Sequence, residues 1–230
     1  MRNKFLVLAL GALVLAACGN PLQHSSVDGF EAADAASKAA AGVAATYPTL
    51  DYAGKILPRV NQPTTDVNNG NGLFEVYYSL DHTYAAGSAY AYRVQVSFIY
   101  SDEDAPGGLD AWYDQQRLDD YGSVRDIETI YLWVGWNGYV QRMYFPEIWA
   151  SYENWSLPQH YTKAVTRSAT TRPEIWVETW NHAMTDHNHP GGTDIAKTPG
   201  SGYSYAVGTR ADAEADYRQA GNPSDIPADM

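Results

Sequence analysis

Two carboxylates, Asp126 and Glu128, stand at the start of an otherwise apolar strand pattern and are the residues best placed to do chemistry. Side chains alternate between the two faces of a strand, so both carboxylates share a face with Ile130, Leu132 and Val134. Burying two carboxylates without compensation is costly. The pattern therefore predicts that the pair meets solvent, a basic partner or a bound cation.

Further acidic residues lie close to this pair in the sequence. Residues 101–121 are interpreted as a long polar loop that carries Asp102, Glu103, Asp104, Asp110, Asp114, Asp119 and Asp120. Asn137-Gly138 predicts a two-residue hairpin that would place Glu147 opposite Glu128. Calcium and magnesium prefer oxygen ligands, so Asp120 and Glu147 are possible additional ligands of a site at Asp126 and Glu128. The alternative is a solvated acidic loop beside an ion-pair network centred on Arg125.

Three of the six histidines follow the predicted strand 174–180: His182, His187 and His189. Neutral imidazoles suit zinc, copper or nickel, but the spacing matches no closed zinc motif, and a solvated polar loop is an alternative. A mixed site, in which His182 at the strand end meets Asp126 and Glu128, reconciles the two clusters. For such a site, we expect calcium or magnesium in preference to zinc.

The aromatic residues and the carboxylate pair also raise the question of sugar binding and catalysis. Trp112, Trp136 and Trp149 lie in or near predicted loops and hairpin ends, where they would stack on sugar rings or simply pack in the core. Two carboxylates on one face of one strand do not approach a substrate from two sides, as glycosidase chemistry requires. The sequence has no glycine-rich phosphate loop and no recognisable Ser-His-Asp spacing. These features favour binding over catalysis.

Strand-like alternation covers most of the chain and sets the expected fold. Apolar residues alternate over 74–80 and 92–100 and again in the hairpin around Asn137-Gly138, which is typical of half-buried strands. We predict an all-β fold, an antiparallel β-sandwich, over residues 73–210. Residues 18–72, with an alanine-rich segment at 30–46, are predicted to form a helical or flexible tether, and residues 211–230 an acidic flexible tail.

The first residues are typical of an export signal. Arg2 and Lys4 precede an apolar run from Phe5 to Ala17 that is too short to span a bilayer. Leu15-Ala16-Ala17-Cys18 resembles a bacterial lipobox, which implies removal of residues 1–17 and lipidation, including palmitate, of Cys18; an ordinary signal with an incidental cysteine is the alternative. A multiply acylated cysteine would anchor the protein stably to a membrane, in the bacterial cell envelope and, in a Gram-negative cell, at the outer membrane.

Charge and cysteine content narrow the set of partners. The full chain has a formal net charge of −12, and loss of Arg2 and Lys4 with the signal makes it −14. Such an acidic surface argues against nucleic acid and anionic headgroups as main partners and suits cations or neutral glycans. Cys18 is the single cysteine, so no intramolecular disulfide can form.

The heptapeptide Gly122-Ser123-Val124-Arg125-Asp126-Ile127-Glu128 resembles the G-H-R-H-D-W-E motif of the necrosis-inducing (NPP1-like or Nep1-like) proteins and the H-E-G-D-W-E element of Vps62-type proteins. Two further segments are similar to Vps62-type chains in the same order. Residues 94–100 with 104–108 resemble the strand and loop before the motif, and residues 172–177 with 181–183 resemble a later strand that ends in Ser-His-Ala. The resemblance spans residues 74–192.

This resemblance implies a β-sandwich with a divalent cation held by aspartate, histidine and glutamate at one end, used at a membrane glycolipid surface. Asp126 and Glu128 keep the acidic positions of the motif, whereas Ser123 and Arg125 stand where its histidines would be. The expected function is a divalent-cation-assisted glycan or glycolipid surface-binding module. The alternatives are an envelope polysaccharide hydrolase and a purely structural envelope lipoprotein.

Overall fold

The computed structural model describes residues 55–105, 108–150, 160–170, 172–188 and 193–218. All of them belong to one compact unit, Ala45–Met230. The predicted signal, Cys18 and the alanine-rich tether lie outside the described residues, as do His189 and residues 219–230.

Over the described residues the chain forms ten strands and three helices. They are β1 Arg59–Pro63, α1 Thr64–Asn68, β2 Leu73–Thr83, β3 Tyr90–Tyr100, α2 Asp110–Tyr121, β4 Asp126–Gly135, β5 Val140–Trp149, β6 Tyr161–Thr170, β7 Glu174–Val177, β8 Met184–Thr185, β9 Asp194–Pro199, β10 Gly202–Val207 and α3 Arg210–Asp216. No helix in this part of the chain is long and apolar enough to cross a membrane.

All ten strands join one sheet in the order β4-β3-β2-β10-β9-β1-β7-β8-β5-β6. Because β4 also pairs with β5, nine of the strands close into a barrel, and β6 lies outside the ring against β5. The all-β class is confirmed, whereas the separation into two sheets expected of a sandwich is not. The pairing is also mixed: β1–β7, β2–β10, β9–β10 and β5–β8 are parallel.

The barrel core comes from the strands with the clearest alternation. Large side chains that are almost fully buried include Phe98, Ile130, Leu132, Met143 and Phe145. Removing apolar surface from water is the main favourable term in folding, and these residues sit on consecutive strands of the ring. On β4 the apolar positions begin two residues after Glu128, so the carboxylate pair lies at one end of the core.

The hairpin between β4 and β5 exists, but its loop differs from the predicted one. A two-residue loop at Asn137-Gly138 predicts that Leu132 pairs with Met143 and Val134 with Gln141. The first pairing is present, whereas Val134 pairs with Val140 after a register shift. The amide of Gly138 donates to Gly135 O at 2.9 Å, and Gly138 alone in the turn has a positive φ, +79°. This is a three-residue loop, a type I turn closed by a left-handed glycine, and not a type I′ turn.

Three segments contain regular elements although the sequence predicts connections there: the polar loop 101–121, a Pro-, Asn-, Gly- and Thr-rich loop at 58–72, and a long connection at 147–172. Residues 58–72 contain β1 and α1, residues 101–121 contain α2, and residues 147–172 contain β6. The predicted tail is also partly wrong, because residues 211–216 lie in α3, whose first turn is closed by a reciprocal capping box between Thr209 and Asp212. The Tyr77 hydroxyl donates to Asp216 at 2.6 Å and fixes α3 against the sheet.

Candidate functional site

Helix α2 ends where the carboxylate strand begins. Gly122 terminates the helix in the left-handed conformation, at φ +73°, and its amide donates to Leu118 O at 3.0 Å. Glycine adopts this conformation without a steric penalty. Four residues later the chain enters β4 at Asp126, so one short turn connects the buried helix residue Arg117 with the carboxylate pair.

Asp126 lies between two cationic side chains. Its Oδ2 is 2.7 Å from His182 Nδ1, and its Oδ1 is 3.4 Å from Arg117 Nη2. Arg117 also donates to the carbonyl of Arg125 at 2.9 Å, which ties the helix to the first residues of the strand. Both oxygens of this buried carboxylate are therefore partnered within the protein, and its pKa is lowered because the hydrogen bond from His182 and the charge of Arg117 outweigh burial.

His182 is fully buried in a tight turn. Its φ is +54°, an uncommon value for a residue with a side chain, and the turn is closed by the His182 amide on Thr179 O at 3.1 Å. The imidazole stacks on the ring of Tyr100 with centroids 3.8 Å apart and planes within 6°. The stack and the turn together fix the ring beside Asp126.

A second carboxylate faces the other side of this imidazole. His182 Nε2 is 3.3 Å from Asp66 Oδ2, a salt-bridge distance without the alignment of a hydrogen bond. Burial alone would lower the pKa of His182, but the charge of Asp66 and the hydrogen bond with Asp126 raise it to about 10. Gln62 and Asn71 donate to Asp66 from their side-chain amides. His182 is therefore an imidazolium held between two carboxylates.

Glu103 extends the network beyond Arg117. It pairs with Arg117 and accepts a hydrogen bond from the Tyr113 hydroxyl at 3.0 Å. Burial raises the pKa of Glu103 to about 7, against the attraction of Arg117. We call the five alternating residues Glu103, Arg117, Asp126, His182 and Asp66 the buried charge chain.

Glu128 stands apart from this chain although it is only 6% exposed. Among the described residues, no hydrogen bond or salt bridge reaches its carboxylate, in contrast to Asp126 two positions earlier. Burial, and then the charge of Asp126, hold the pKa of Glu128 well above its ordinary value of 4.5. Burial therefore favours the protonated form of Glu128 over the carboxylate, compared with an ordinary glutamate.

Four aspartates gather where β3 leads into α2: Asp102, Asp104, Asp110 and Asp114, here called the aspartate cluster. Burial, and then the charges of the neighbouring aspartates, raise the pKa of Asp114 to about 7. Burial also raises the pKa of Asp102 to about 6, partly offset by a hydrogen bond from the Glu103 amide. One oxygen on each of these two residues, Asp102 Oδ2 and Asp114 Oδ1, is buried without a hydrogen-bond partner among the described residues.

The other predicted site residues do not join Asp126 and His182. Asp120 is exposed on α2 and accepts from Gln116 Nε2 at 2.8 Å, Glu147 is exposed on β5, and His187 is an exposed residue whose Nδ1 is 3.0 Å from Asp186 Oδ1. Trp149 is buried against Phe145 with ring centroids 5.1 Å apart, so the prediction that it stacks on a sugar is wrong. Trp112 and Trp136 are exposed, at 42% and 57%.

The expected neutralising arginine is also a different one. The Arg125 guanidinium lies 4.8 Å from the centroid of the Phe74 ring, and Arg117 makes the contact with Asp126. The spacing of Tyr113, Asp114, Arg117 and Leu118 is that of one buried helix face and is the signal by which α2 could have been found. Asp66 offers no such signal, because it lies in a short polar helix within a Pro-, Asn- and Thr-rich stretch.

Within the described residues, no three His, Cys, Asp or Glu side chains are already arranged to hold a metal ion. The predicted ligands Asp126 and His182 contact each other directly, with the guanidinium of Arg117 beside Asp126 and the carboxylate of Asp66 beside His182. Comparison with protein-family models, with curated proteins and with solved structures finds no match to this chain.

Proposed function

We propose that this chain is an exported, lipid-anchored bacterial envelope protein whose barrel binds a glycan or glycolipid surface with the help of a divalent cation. The observation that carries this proposal is the buried carboxylate of Glu128, which has no protein partner among the described residues. The resemblance of residues 122–128 to the motif of the necrosis-inducing and Vps62-type proteins supports the same reading.

Glu128 is costly to the fold unless something compensates its charge. Moving an unpaired carboxylate away from water is strongly unfavourable, so it either keeps a proton or meets a cation. Arg117 and His182 are already engaged by Glu103, Asp126 and Asp66, and the charge of Arg210 offsets the burial of Glu128 only in part, because the pKa of Glu128 remains raised. A divalent cation bound next to Asp126 would take the place of the Glu128 proton.

The donors at this end of the barrel fit calcium or magnesium better than zinc. Asp126 and Glu128 would supply carboxylate oxygens, the ligands that both hard cations prefer. His182 would join as a ligand only as a neutral imidazole; while it keeps its proton, it orients Asp126 through the hydrogen bond at Oδ2. A bound cation would offer open coordination positions to the hydroxyl or phosphate oxygens of a sugar headgroup.

The surface around this end also suits a sugar. Trp112 and Tyr121 are exposed on α2, at 42% and 38%, the helix that also carries Arg117. Aromatic faces exposed beside a polar site supply stacking area for ligand rings. Trp136 lies at the opposite end of β4, about 30 Å from Asp126 at the rise of a β-strand, so it cannot contact a ligand bound at Asp126 and Glu128.

An anchor at Cys18 would hold the barrel at the membrane surface, where glycolipids and envelope polysaccharides are concentrated. A lipid anchor also lowers the affinity that the site needs, because tethering raises the local concentration of the ligand. Weak, cation-dependent contacts are then sufficient for binding. Labelling with a fatty acid analogue tests this part: incorporation into the parent chain and loss in Cys18→Ala are expected.

Calorimetry tests the cation site. Calcium chloride, magnesium chloride and zinc chloride are titrated separately into the parent, Asp126→Asn and Glu128→Gln, with Glu147→Gln, an exposed carboxylate of the same sheet, as the matched control. We expect calcium affinity to fall at least tenfold in Glu128→Gln and to stay unchanged in the control. Equal affinity in the parent and in Glu128→Gln would remove this carboxylate as a ligand.

A glycan array, read once with calcium and once with chelator, tests which target the protein binds. Glycan or glycolipid binding that disappears with chelator supports the proposal, and its absence on every glycan and on glycolipid vesicles favours a purely structural envelope protein.

A polysaccharide hydrolase is the second candidate. Asp126, with a lowered pKa, and Glu128, with a raised one, form the kind of split carboxylate pair that supplies a base and an acid. Release of reducing ends from envelope polysaccharide by the parent, and its loss in Glu128→Gln, would favour hydrolysis over binding.

A further inference from the structure

We propose a second, separate divalent-cation site at the aspartate cluster, built for a calcium-type ion held by carboxylate oxygens. It goes beyond the proposed function because it shares no ligand with Asp126, Glu128 or His182.

The first support is the way the cluster is assembled. The amide of Ala105 donates to Asp110 Oδ1 at 3.0 Å, which folds the segment after β3 back onto the start of α2. Glu103 is fixed against the same helix by Tyr113 and Arg117. Asp102 and Asp104 flank Glu103 in the chain, so they lie beside the helix turn that carries Asp110 and Asp114.

On α2 itself, Asp110 and Asp114 are four residues apart and lie on one face, one above the other. Four carboxylates thus come from two short segments that are clamped together by Glu103. Like charges at such positions repel, and Arg117, the one basic residue of this helix, forms its salt bridges with Glu103 and Asp126. The clamp holds together groups that, without a cation, destabilise one another.

The second, independent support is a pair of buried oxygens that point to a missing partner. Asp102 is 0% exposed and Asp114 4% exposed, yet Asp102 Oδ2 and Asp114 Oδ1 have no hydrogen-bond partner among the described residues. Buried polar atoms in folded proteins are nearly always partnered by protein, water or an ion. Solvated surface aspartates, such as Asp119 and Asp120 of the same helix, leave no such orphaned atoms.

The chemistry of the donors selects the ion. The cluster contains carboxylate oxygens and no imidazole or thiolate, the donor set of a hard cation. Arg117, which reaches this side of α2, forms its salt bridges with Glu103 and Asp126, and its charge offsets those of Asp102 and Asp114 only in part, because both pKa values remain raised. Calcium accepts six to eight oxygens in flexible geometry and tolerates water ligands, which suits carboxylates from a loop and a helix.

Cation binding must also move the loop. The four carboxylates do not yet surround one point, so an ion would draw Asp102 and Asp104 towards the helix face. The bound ion would then clamp the start of α2 to the end of β3. Because α2 also carries Arg117, the second ion would hold the helix in place over the buried charge chain.

Calorimetry and hydrogen exchange test the proposal with calcium chloride alone as the ligand. The variants are Asp102→Asn with Asp114→Asn, which keeps side-chain shape, and Asp119→Asn with Asp120→Asn, which removes the same charge from the exposed side of α2. We expect the affinity of one calcium-binding event to fall at least tenfold in the first variant and to stay unchanged in the second. Calcium should also slow amide exchange over residues 102–105 in the parent.

The outcomes separate this site from the one at Glu128. Loss of a calcium event in the Asp102/Asp114 variant but not in Glu128→Gln supports the second site even if the first does not exist. Unchanged calcium binding in the Asp102/Asp114 variant, or no calcium uptake by the folded parent at millimolar concentration, overturns the proposal. Far-UV circular dichroism verifies folding, and should the double variant unfold, Asp114→Asn alone is titrated in its place.

Discussion

His182 holds a positive charge in a place that water does not reach, and two carboxylates on opposite sides of its ring keep it there. Removing one partner of a buried ion pair leaves the others uncompensated and costs about 3–5 kcal/mol. We therefore expect His182→Gln to lower the free energy of unfolding by about that amount at pH 7, measured by urea titration. His187→Gln, an exposed histidine five residues later, should change it little. A small effect of His182→Gln would mean that the imidazole is neutral.

The pH dependence of the stabilisation by His182 follows from the direction in which its pKa is shifted. The pKa of His182 is about 10 in the folded protein against 6.5 in the unfolded chain, so folding is favoured by proton uptake. The contribution is complete below about pH 6.5 and is lost as the pH rises through about 10. The difference in unfolding free energy between the parent and His182→Gln should shrink over that range.

The stability contribution of Glu128 has the same sign of pH dependence as that of His182, because its folded pKa is also raised. Its folded pKa lies well above 4.5, so the folded protein holds a proton that the unfolded chain has released. The contribution of Glu128 to the free energy of unfolding is complete below about pH 4.5 and falls as the pH rises above that value. In chelator, Glu128→Gln should resemble the parent at pH 5 and melt several degrees higher at pH 9. Identical melting temperatures at pH 9 would contradict a buried, protonated Glu128.

At the scale of elements, Arg117 is the side chain that ties α2 to Asp126 and to the residue before it at this end of the barrel. Arg117 uses Nη1 for Glu103 and Nη2 for both Asp126 and the Arg125 carbonyl, a forked geometry that a lysine ammonium cannot reproduce. We expect Arg117→Lys to lower the free energy of unfolding by about 1–3 kcal/mol. The rate of amide hydrogen exchange over residues 113–121 should rise at least tenfold. Gln116→Ala, an exposed change on the same helix, is the control. Unchanged exchange in Arg117→Lys would show that Tyr113 and Leu118 hold the helix unaided.

Elements with strict alternation are the ones that the sequence predicts well. β2, β3 and β4 follow from apolar residues at every second position, because each strand packs one face on a shared core. The pairing of Asp126 with His182, 56 positions later, was an expectation of the mixed site and is present in the structure as a hydrogen bond. A contact between residues this far apart in the sequence is predicted by the positions of the strand ends and by the family motif.

Other elements could not be predicted, for identifiable reasons. β1 and β6 carry few large apolar residues, and their hydrogen-bond partners lie far away in the chain. The β4–β5 loop was assigned the wrong turn type because Asn137-Gly138 suits either a two-residue loop or the last positions of a three-residue loop. Closure of the sheet depends on β7, which lies within the predicted strand 174–180, and on β8, a strand of only two residues that is too short to show any periodicity.

For the molecule as a whole, the closed order of strands predicts one cooperative unit. Nine strands share a single core, so no subset can separate without exposing apolar surface of its neighbours. Tryptophan fluorescence and far-UV circular dichroism should therefore report coincident urea transitions with one midpoint. Two midpoints would instead show that part of the ring, such as the short strands β7 and β8, opens first.

The position of β6 outside the ring has a consequence for association between copies. A ring protects its strands because both sides of each are paired, whereas β6 pairs only with β5 among the described strands. Exposed strand edges template intermolecular sheets and aggregation. Here that edge carries Lys163 and Arg167, and Arg167 donates to the carbonyls of Glu174 and Asp186, each at 3.0 Å. Replacing these two cations with apolar residues would turn the most vulnerable strand of the molecule into a nucleus for fibrils.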